Sequence, residues 1–149
     1  MKALLRTTSM TLAALALVAC TRAQAGEVDP ASLYVVSTEQ STKTLKPGEQ
    51  GRYVVSISTK GNAYVSDEAP LKLELSGKNL TVEKSKLTLK DSVAKADEEK
   101  KHRNPRFEVP VIAGAAGQGA VEGKLTFFVC TEKICSRQQR DVSVPVEVK

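Results

Sequence analysis

The chain has 149 residues, only 4% of them aromatic, and its formal net charge of +5 comes from 22 basic and 17 acidic residues. This length suits one domain with one hydrophobic core. Lys2, Arg6 and Arg22 precede Gly26 and no acidic residue does, so the charge from Gly26 onward is only +2. With few aromatic residues and no stripe of basic residues interleaved with them, we expect no nucleic-acid binding.

The first 25 residues have the layout of a secretory signal peptide. A basic start at Lys2 and Arg6 is followed by an uncharged stretch from Thr7 to Cys20. That stretch is shorter than the ~20 apolar residues that a membrane-spanning helix needs. We therefore expect the protein to be exported, and residues 1–25 to take no part in the fold.

The sequence offers two alternative sites for cleavage of the signal peptide. The Ala-Gln-Ala sequence at residues 23–25 resembles an ordinary cleavage site before Gly26. The Leu-Val-Ala-Cys sequence at residues 17–20 resembles a bacterial lipobox, in which Cys20 is lipidated and becomes the new N-terminus. The mature protein is then periplasmic or lipid-anchored in the bacterial cell envelope, and it contacts a membrane only through that lipid.

From Leu33 onward, apolar and polar residues alternate in short runs, which is the period of half-buried β-strands. The runs are Arg52–Ser58, Pro70–Ser76, Leu87–Leu89, Phe107–Val111, Gly119–Cys130 and Cys135–Val148, with weaker candidates at Leu33–Ser37 and Leu80–Val82. Turn residues separate the runs at 46–48, 60–62, 76–79 and 114–119. Seven to eight such strands predict an all-β fold, an antiparallel β-sandwich of immunoglobulin-like type over residues 33–149. Residues 26–32 are expected to form a short tether.

The stretch Asp91–Asn104 breaks the alternation because it is highly charged. It is interpreted either as a solvated loop holding a turn or two of helix, or as a mobile flap that recognises a partner. His102 is the only histidine, which excludes a histidine-based catalytic triad or a multi-histidine metal site, and we expect it to be solvated. We expect no metal, no cofactor and no hydrolase chemistry.

Two cysteines, Cys130 and Cys135, remain after the signal peptide, separated by four residues that suit a hairpin loop. Export favours a disulfide between them. If they oppose each other, the core face of the hairpin holds Val121, Leu125, Phe127, Val129, Val142 and Val144. The cysteines then face outward with Phe128, Arg137 and Gln139. An outward disulfide is accessible to another protein's thiolate, and the cations of Lys133, Arg137 and Arg140 favour a thiolate there.

Residues 127–135, Phe-Phe-Val-Cys-Thr-Glu-Lys-Ile-Cys, and the valine-rich strand at 142–146 resemble the N-terminal periplasmic domain of DsbD-type thiol:disulfide interchange proteins. Residues 60–64, 70–73 and 106–111 extend the resemblance. That domain is an immunoglobulin-like sandwich whose hairpin cysteines pass electrons from a membrane domain to periplasmic thiol/disulfide proteins.

The resemblance implies a redox pair at Cys130 and Cys135, an active-site aromatic residue at Tyr64, and a cap loop at Asp91–Asn104. Phe128 and Arg137 are expected to flank the site. The family's cap loop shields the disulfide with an aromatic residue, and Asp91–Asn104 contains none. Two functions therefore stay open: thiol exchange with periplasmic partner proteins, or a non-catalytic envelope binding or scaffold module with a purely structural disulfide.

Overall fold

Ten β-strands make up most of residues 26–95 and 101–149, the parts of the chain that this computed structural model describes. They are β1 (Tyr34–Ser37), β2 (Thr44–Leu45), β3 (Gln50–Thr59), β4 (Tyr64–Val65), β5 (Lys72–Lys78), β6 (Leu80–Val82), β7 (Lys86–Thr88), β8 (Arg106–Ala113), β9 (Gly117–Cys130) and β10 (Cys135–Val148). Two short 3-10 helices cover Pro30–Leu33 and Leu89–Asp91. The predicted signal peptide, both cleavage sites and Cys20 lie outside the described residues, as does part of the charged loop.

The strands form two sheets, in the orders β1-β3-β8-β6 and β2-β10-β9-β5-β7, and β4 pairs with the end of β9. The first order corresponds to strands ABED of an immunoglobulin domain, and β5-β9-β10 corresponds to strands CFG. The predicted immunoglobulin-like β-sandwich is therefore confirmed. The strands pair antiparallel, except that the short β2 runs parallel to the end of β10.

The core lies between the two sheets because each long strand turns every second side chain inward. On β8 and β9 the apolar side chains of this core are Phe107, Val109, Val111, Ala113, Val121, Leu125, Phe127 and Val129. Tyr53, Phe107 and Phe127 are the largest fully buried side chains. The rings of Tyr34 and Phe127 pack in a T-shaped arrangement with 4.9 Å between their centroids, which extends the core toward the end of the sandwich that carries the cysteines.

The predicted strands are present, with shifts at their ends. Residues 117 and 118, predicted as part of a turn, belong to β9, and Leu89 lies in a 3-10 helix that follows β7. The strands β2 and β4 were not predicted, because two residues are too few to show alternation. In the described part of Asp91–Asn104 the predicted turn or two of helix is absent: Asp91 ends the 3-10 helix and His102 forms an isolated β-bridge. Among the described residues, no helix has the length and apolar character to cross a membrane.

Candidate functional site

The hairpin of β9 and β10 positions the two cysteines. The two strands pair continuously from Gly117 opposite Val148 to Cys130 opposite Cys135. The predicted opposition of Cys130 and Cys135 is confirmed, and the register that follows from it holds along the whole ladder. Because no bulge interrupts this ladder, the side chains of both strands alternate between the core face and the outer face all the way to the cysteines.

The loop at residues 131–134 is closed by its own hydrogen bonds. The Thr131 N–H donates to the Ile134 carbonyl at 2.8 Å, and the Thr131 hydroxyl oxygen accepts from the N–H groups of Lys133 and Ile134, each at 3.3 Å. Because hydrogen-bonded and non-hydrogen-bonded pairs alternate along an antiparallel ladder, the cysteine pair next to this closure is of the non-hydrogen-bonded kind. Such pairs bring side chains closest together, and the predicted Cys130–Cys135 disulfide is present with its Cα atoms 4.1 Å apart.

The two cysteines differ in exposure. Cys135 is exposed, whereas Cys130 is 0% exposed. The prediction that both face outward was right for Cys135 and incomplete for Cys130, because β4 adds to the far side of β9 and places Tyr64 opposite Cys130. Cys130 thus lies between Cys135 and Tyr64 on the outer face of the sheet.

The charged loop after β7 lies against β4 and supports Tyr64. The Val65 N–H donates to the His102 carbonyl at 2.6 Å, and the Arg103 guanidinium donates to the Ala63 carbonyl at 3.3 Å. The Lys101 ammonium lies 4.6 Å from the centre of the Tyr64 ring, a cation–π contact. The end of this loop therefore flanks the aromatic residue beside Cys130, and that aromatic residue comes from β4 instead of from the loop.

His102 is not solvated as predicted. It is half-buried, and its Nδ1 atom is buried without a hydrogen-bond partner among the described residues. The cause is the β-bridge between His102 and Val65, which draws the backbone of the loop into the sheet. No group of three histidine, cysteine or acidic side chains in residues 26–95 and 101–149 is arranged to hold a metal ion.

The cations near the disulfide divide between the two faces of the hairpin. Arg137 is exposed on the outer face opposite Phe128, which is half-buried, and Lys133 is exposed in the loop. Arg140 points to the other face, where its guanidinium lies 5.1 Å from the centre of the Tyr34 ring. Burial raises the pKa of the Tyr34 phenol, and the charge of Arg140 opposes that rise. Arg140 was therefore wrongly grouped with the cations around the disulfide.

No family model matches the sequence, and no curated protein matches it. Solved structures show distant likenesses. The native conformation of E. coli alpha-2-macroglobulin matches with a TM-score of 0.46 and 12% identity, over 78% of this chain but only 6% of that chain. A chain of the complex between zinc 2-glycoprotein and prolactin inducible protein from human seminal plasma matches with a TM-score of 0.46 and 10% identity, over 78% of this chain and 94% of that one.

The PapD-like domain 7 of human CEP192 covers 95% of this chain and 98% of its own, with a TM-score of 0.34 and 10% identity. At these scores the likenesses carry no argument about function, and the assignment of the fold rests on the order of the strands.

Proposed function

We propose that this protein is an exported module whose Cys130–Cys135 disulfide exchanges with thiols of partner proteins, as the N-terminal domain of DsbD-type interchange proteins does. The observation that carries the proposal is the unequal exposure of the two cysteines at the hairpin tip. A disulfide with one exposed and one covered half presents a single sulfur to an incoming thiolate. That arrangement suits an ordered exchange, since the rate depends on which sulfur is attacked and on access to it.

In the proposed reaction, a partner thiolate attacks Sγ of Cys135. The new sulfur–sulfur bond joins the partner to Cys135, the Cys130–Cys135 bond breaks, and Cys130 leaves with the electron pair and takes up a proton. The partner's second thiolate then attacks its own sulfur in the mixed disulfide and releases Cys135. The partner dithiol is oxidised to a disulfide and this protein is reduced, and the same steps in reverse deliver two electrons to an oxidised partner.

The surroundings of each cysteine support these roles. Exposed cations at Arg137 and Lys133 favour an approaching thiolate and a thiolate form of Cys135. The long ladder between β9 and β10 keeps Cys130 opposite Cys135 after the bond opens, so that Cys130 remains able to displace a bound partner. Tyr64 lies opposite Cys130 on its other side, with Lys101 over the Tyr64 ring, and the burial of Cys130 limits direct attack on that sulfur.

A redox titration of the purified protein, with the thiols trapped by alkylation and counted by mass, tests the proposal. A potential of about −200 mV, in the range of exchanging pairs, supports it. A potential below about −300 mV marks a structural bond, and that result would favour the alternative, a non-catalytic envelope binding or scaffold module.

The order of attack is tested separately with the matched variants Cys130→Ser and Cys135→Ser, each of which leaves one thiol. We expect the thiol of Cys135 to react with a disulfide reagent at least about tenfold faster than that of Cys130, because access controls the rate. Equal rates, with both variants folded by circular dichroism, would contradict attack at Cys135.

A further inference from the structure

One edge of β10 is open next to the disulfide. Because Cys130 and Cys135 form a non-hydrogen-bonded pair, the odd-numbered residues of β10 direct their N–H and C=O groups away from β9. The far end of the strand shows this directly: the N–H groups of Glu147 and Lys149 donate to the carbonyls of Lys43 and Leu45 at 2.8 and 2.9 Å.

The open part of the edge lies at the end of the strand that carries the disulfide. The segment that contains β2 covers the backbone of Glu147 and Lys149, and Pro145 has no N–H group to offer. From Cys135 to Ser143, no described backbone group pairs with the outward-directed N–H and C=O groups of β10. The sheet therefore ends in a nine-residue edge without a neighbouring strand, whose first residue is the exposed cysteine. Along it, the Gln139 carbonyl accepts a hydrogen bond from the Arg140 guanidinium at 3.0 Å.

The chemistry of exchange favours approach from this edge. An incoming thiolate attacks a sulfur in line with the bond that breaks, from the side opposite the leaving group. The leaving sulfur of Cys130 is on β9, on one side of β10, so the line from Cys130 through Cys135 points toward the open edge. An antiparallel strand added along that edge would have a residue directly opposite Cys135 on the same face, in a hydrogen-bonded pair, with its Cβ ~5.5 Å away.

We infer that the redox partner docks by adding an extended segment to the open edge of β10, with its reactive cysteine opposite Cys135. This inference rests on the proposed exchange. Backbone hydrogen bonds supply the affinity in this mode of binding, and side chains on alternate positions supply the selectivity. Arg137 is exposed on the same face two residues from Cys135 and forms no salt bridge with a described carboxylate. The partner segment therefore carries an acidic residue two positions from its cysteine.

Features of the same edge disfavour pairing with a second copy of this chain. Gln138 and Arg140 are polar residues on the core side of β10, where Gln138 accepts a hydrogen bond from the Tyr34 hydroxyl at 3.0 Å. Inward-pointing polar and charged side chains and an edge proline are ways in which natural sheets avoid edge-to-edge association. A partner that adds only a short segment beside Cys135 is compatible with the inward-pointing polar side chains and with the edge proline.

The test uses two synthetic peptides and the oxidised protein. The first is a capped nine-residue peptide of alternating threonine and valine with a central cysteine and a glutamate two positions away. The second is identical except for N-methyl groups on the residues two and four positions from the cysteine on the glutamate side, which would face Arg137 and Gln139; these groups block strand pairing and leave the thiol intact. Mixed-disulfide formation on Cys135 is followed by mass spectrometry, and each rate is divided by the rate with glutathione.

We expect the unmethylated peptide to react about tenfold faster than its methylated twin, the factor that two net backbone hydrogen bonds supply. In Gln139→Pro, which replaces an outward-directed N–H group with a ring that obstructs an added strand, the ratio should fall toward one. The matched control Gln139→Ala keeps that N–H group and should keep the ratio. If Gln139→Pro does not fold, the two peptides on the native chain already decide the question.

Equal rates for the two peptides, with normal reduction by glutathione, would overturn the docking inference and leave the proposed exchange standing. Resistance of the disulfide to glutathione, together with a potential in the structural range, would overturn both. Sedimentation equilibrium gives a further outcome: a dimer that Gln139→Pro abolishes would assign the edge to a second copy and overturn the inference.

Discussion

The hydroxyl of Tyr53 offers a sharp test of the core. Tyr53 is 1% exposed, and its hydroxyl is buried without a hydrogen-bond partner among the described residues. Burial raises the pKa of this phenol to about 12. The substitution Tyr53→Phe removes the hydroxyl and leaves the ring, so it isolates the effect of one unpaired polar group in an apolar interior.

The magnitude follows from the two pKa values. The unfolded chain ionises Tyr53 near its ordinary pKa of about 10, whereas the folded chain holds the proton up to about 12. The stabilisation of the folded state is therefore complete below pH 10 and is lost as the pH rises toward 12. At pH 11 the loss is about 1.4 kcal/mol relative to pH 8. Removing an unpaired buried hydroxyl should also stabilise the fold by about 1 kcal/mol at pH 8.

Urea unfolding of both proteins, followed by far-ultraviolet circular dichroism at pH 8 and pH 11, measures these quantities. Other groups titrate in this range, including Tyr34, whose pKa is also raised, so the useful quantity is the difference between the proteins at each pH. We expect Tyr53→Phe to be more stable by about 1 kcal/mol at pH 8 and by about 2.4 kcal/mol at pH 11. Equal losses in both proteins between the two pH values would refute the reasoning.

Two more predictions concern packing and the disulfide. A Cβ at Gly123 would lie 2.9 Å from side-chain atoms of Leu75 and Val142, so Gly123→Ala should lower the free energy of unfolding by about 1–3 kcal/mol. Gly26→Ala, with nothing within 4 Å, is the control, and no difference between the two variants in urea would contradict this packing. The disulfide spans a sequence separation of 5, and the double variant Cys130→Ala/Cys135→Ala should lose about 2 kcal/mol in urea. A negligible loss would mean that the bond does not constrain the unfolded chain.

The hairpin register was predictable because it depends on local alternation alone. Once Cys130 opposes Cys135, the alternation of side chains between the two faces determines the face of every residue up to the far end of the strands. The structure agrees with this assignment. The burial of Cys130 was not predictable, since it depends on Tyr64 and Val65, two residues that become a strand only by pairing with β9. Arg140 shows the opposite error: it was grouped with the disulfide because it is close in sequence, although the register puts it opposite Leu125 on the core face.

The partial burial of His102 in the charged loop was also not predictable from the sequence. The composition of the loop indicates exposure. The N–H group of Val65, however, donates a hydrogen bond to the backbone carbonyl of His102, and the pattern of side chains in the sequence does not reveal such a backbone hydrogen bond.

The open edge of β10 also determines how solvent reaches the strand. Even-numbered residues such as Gln138 give their N–H groups to β9, while odd-numbered residues such as Gln139 turn theirs toward water. Amide hydrogens along this one strand should therefore alternate between slow and fast exchange with solvent, residue by residue, from the disulfide to Ser143. Beyond Pro145 the alternation ends, because β2 protects the remaining outward-facing amides.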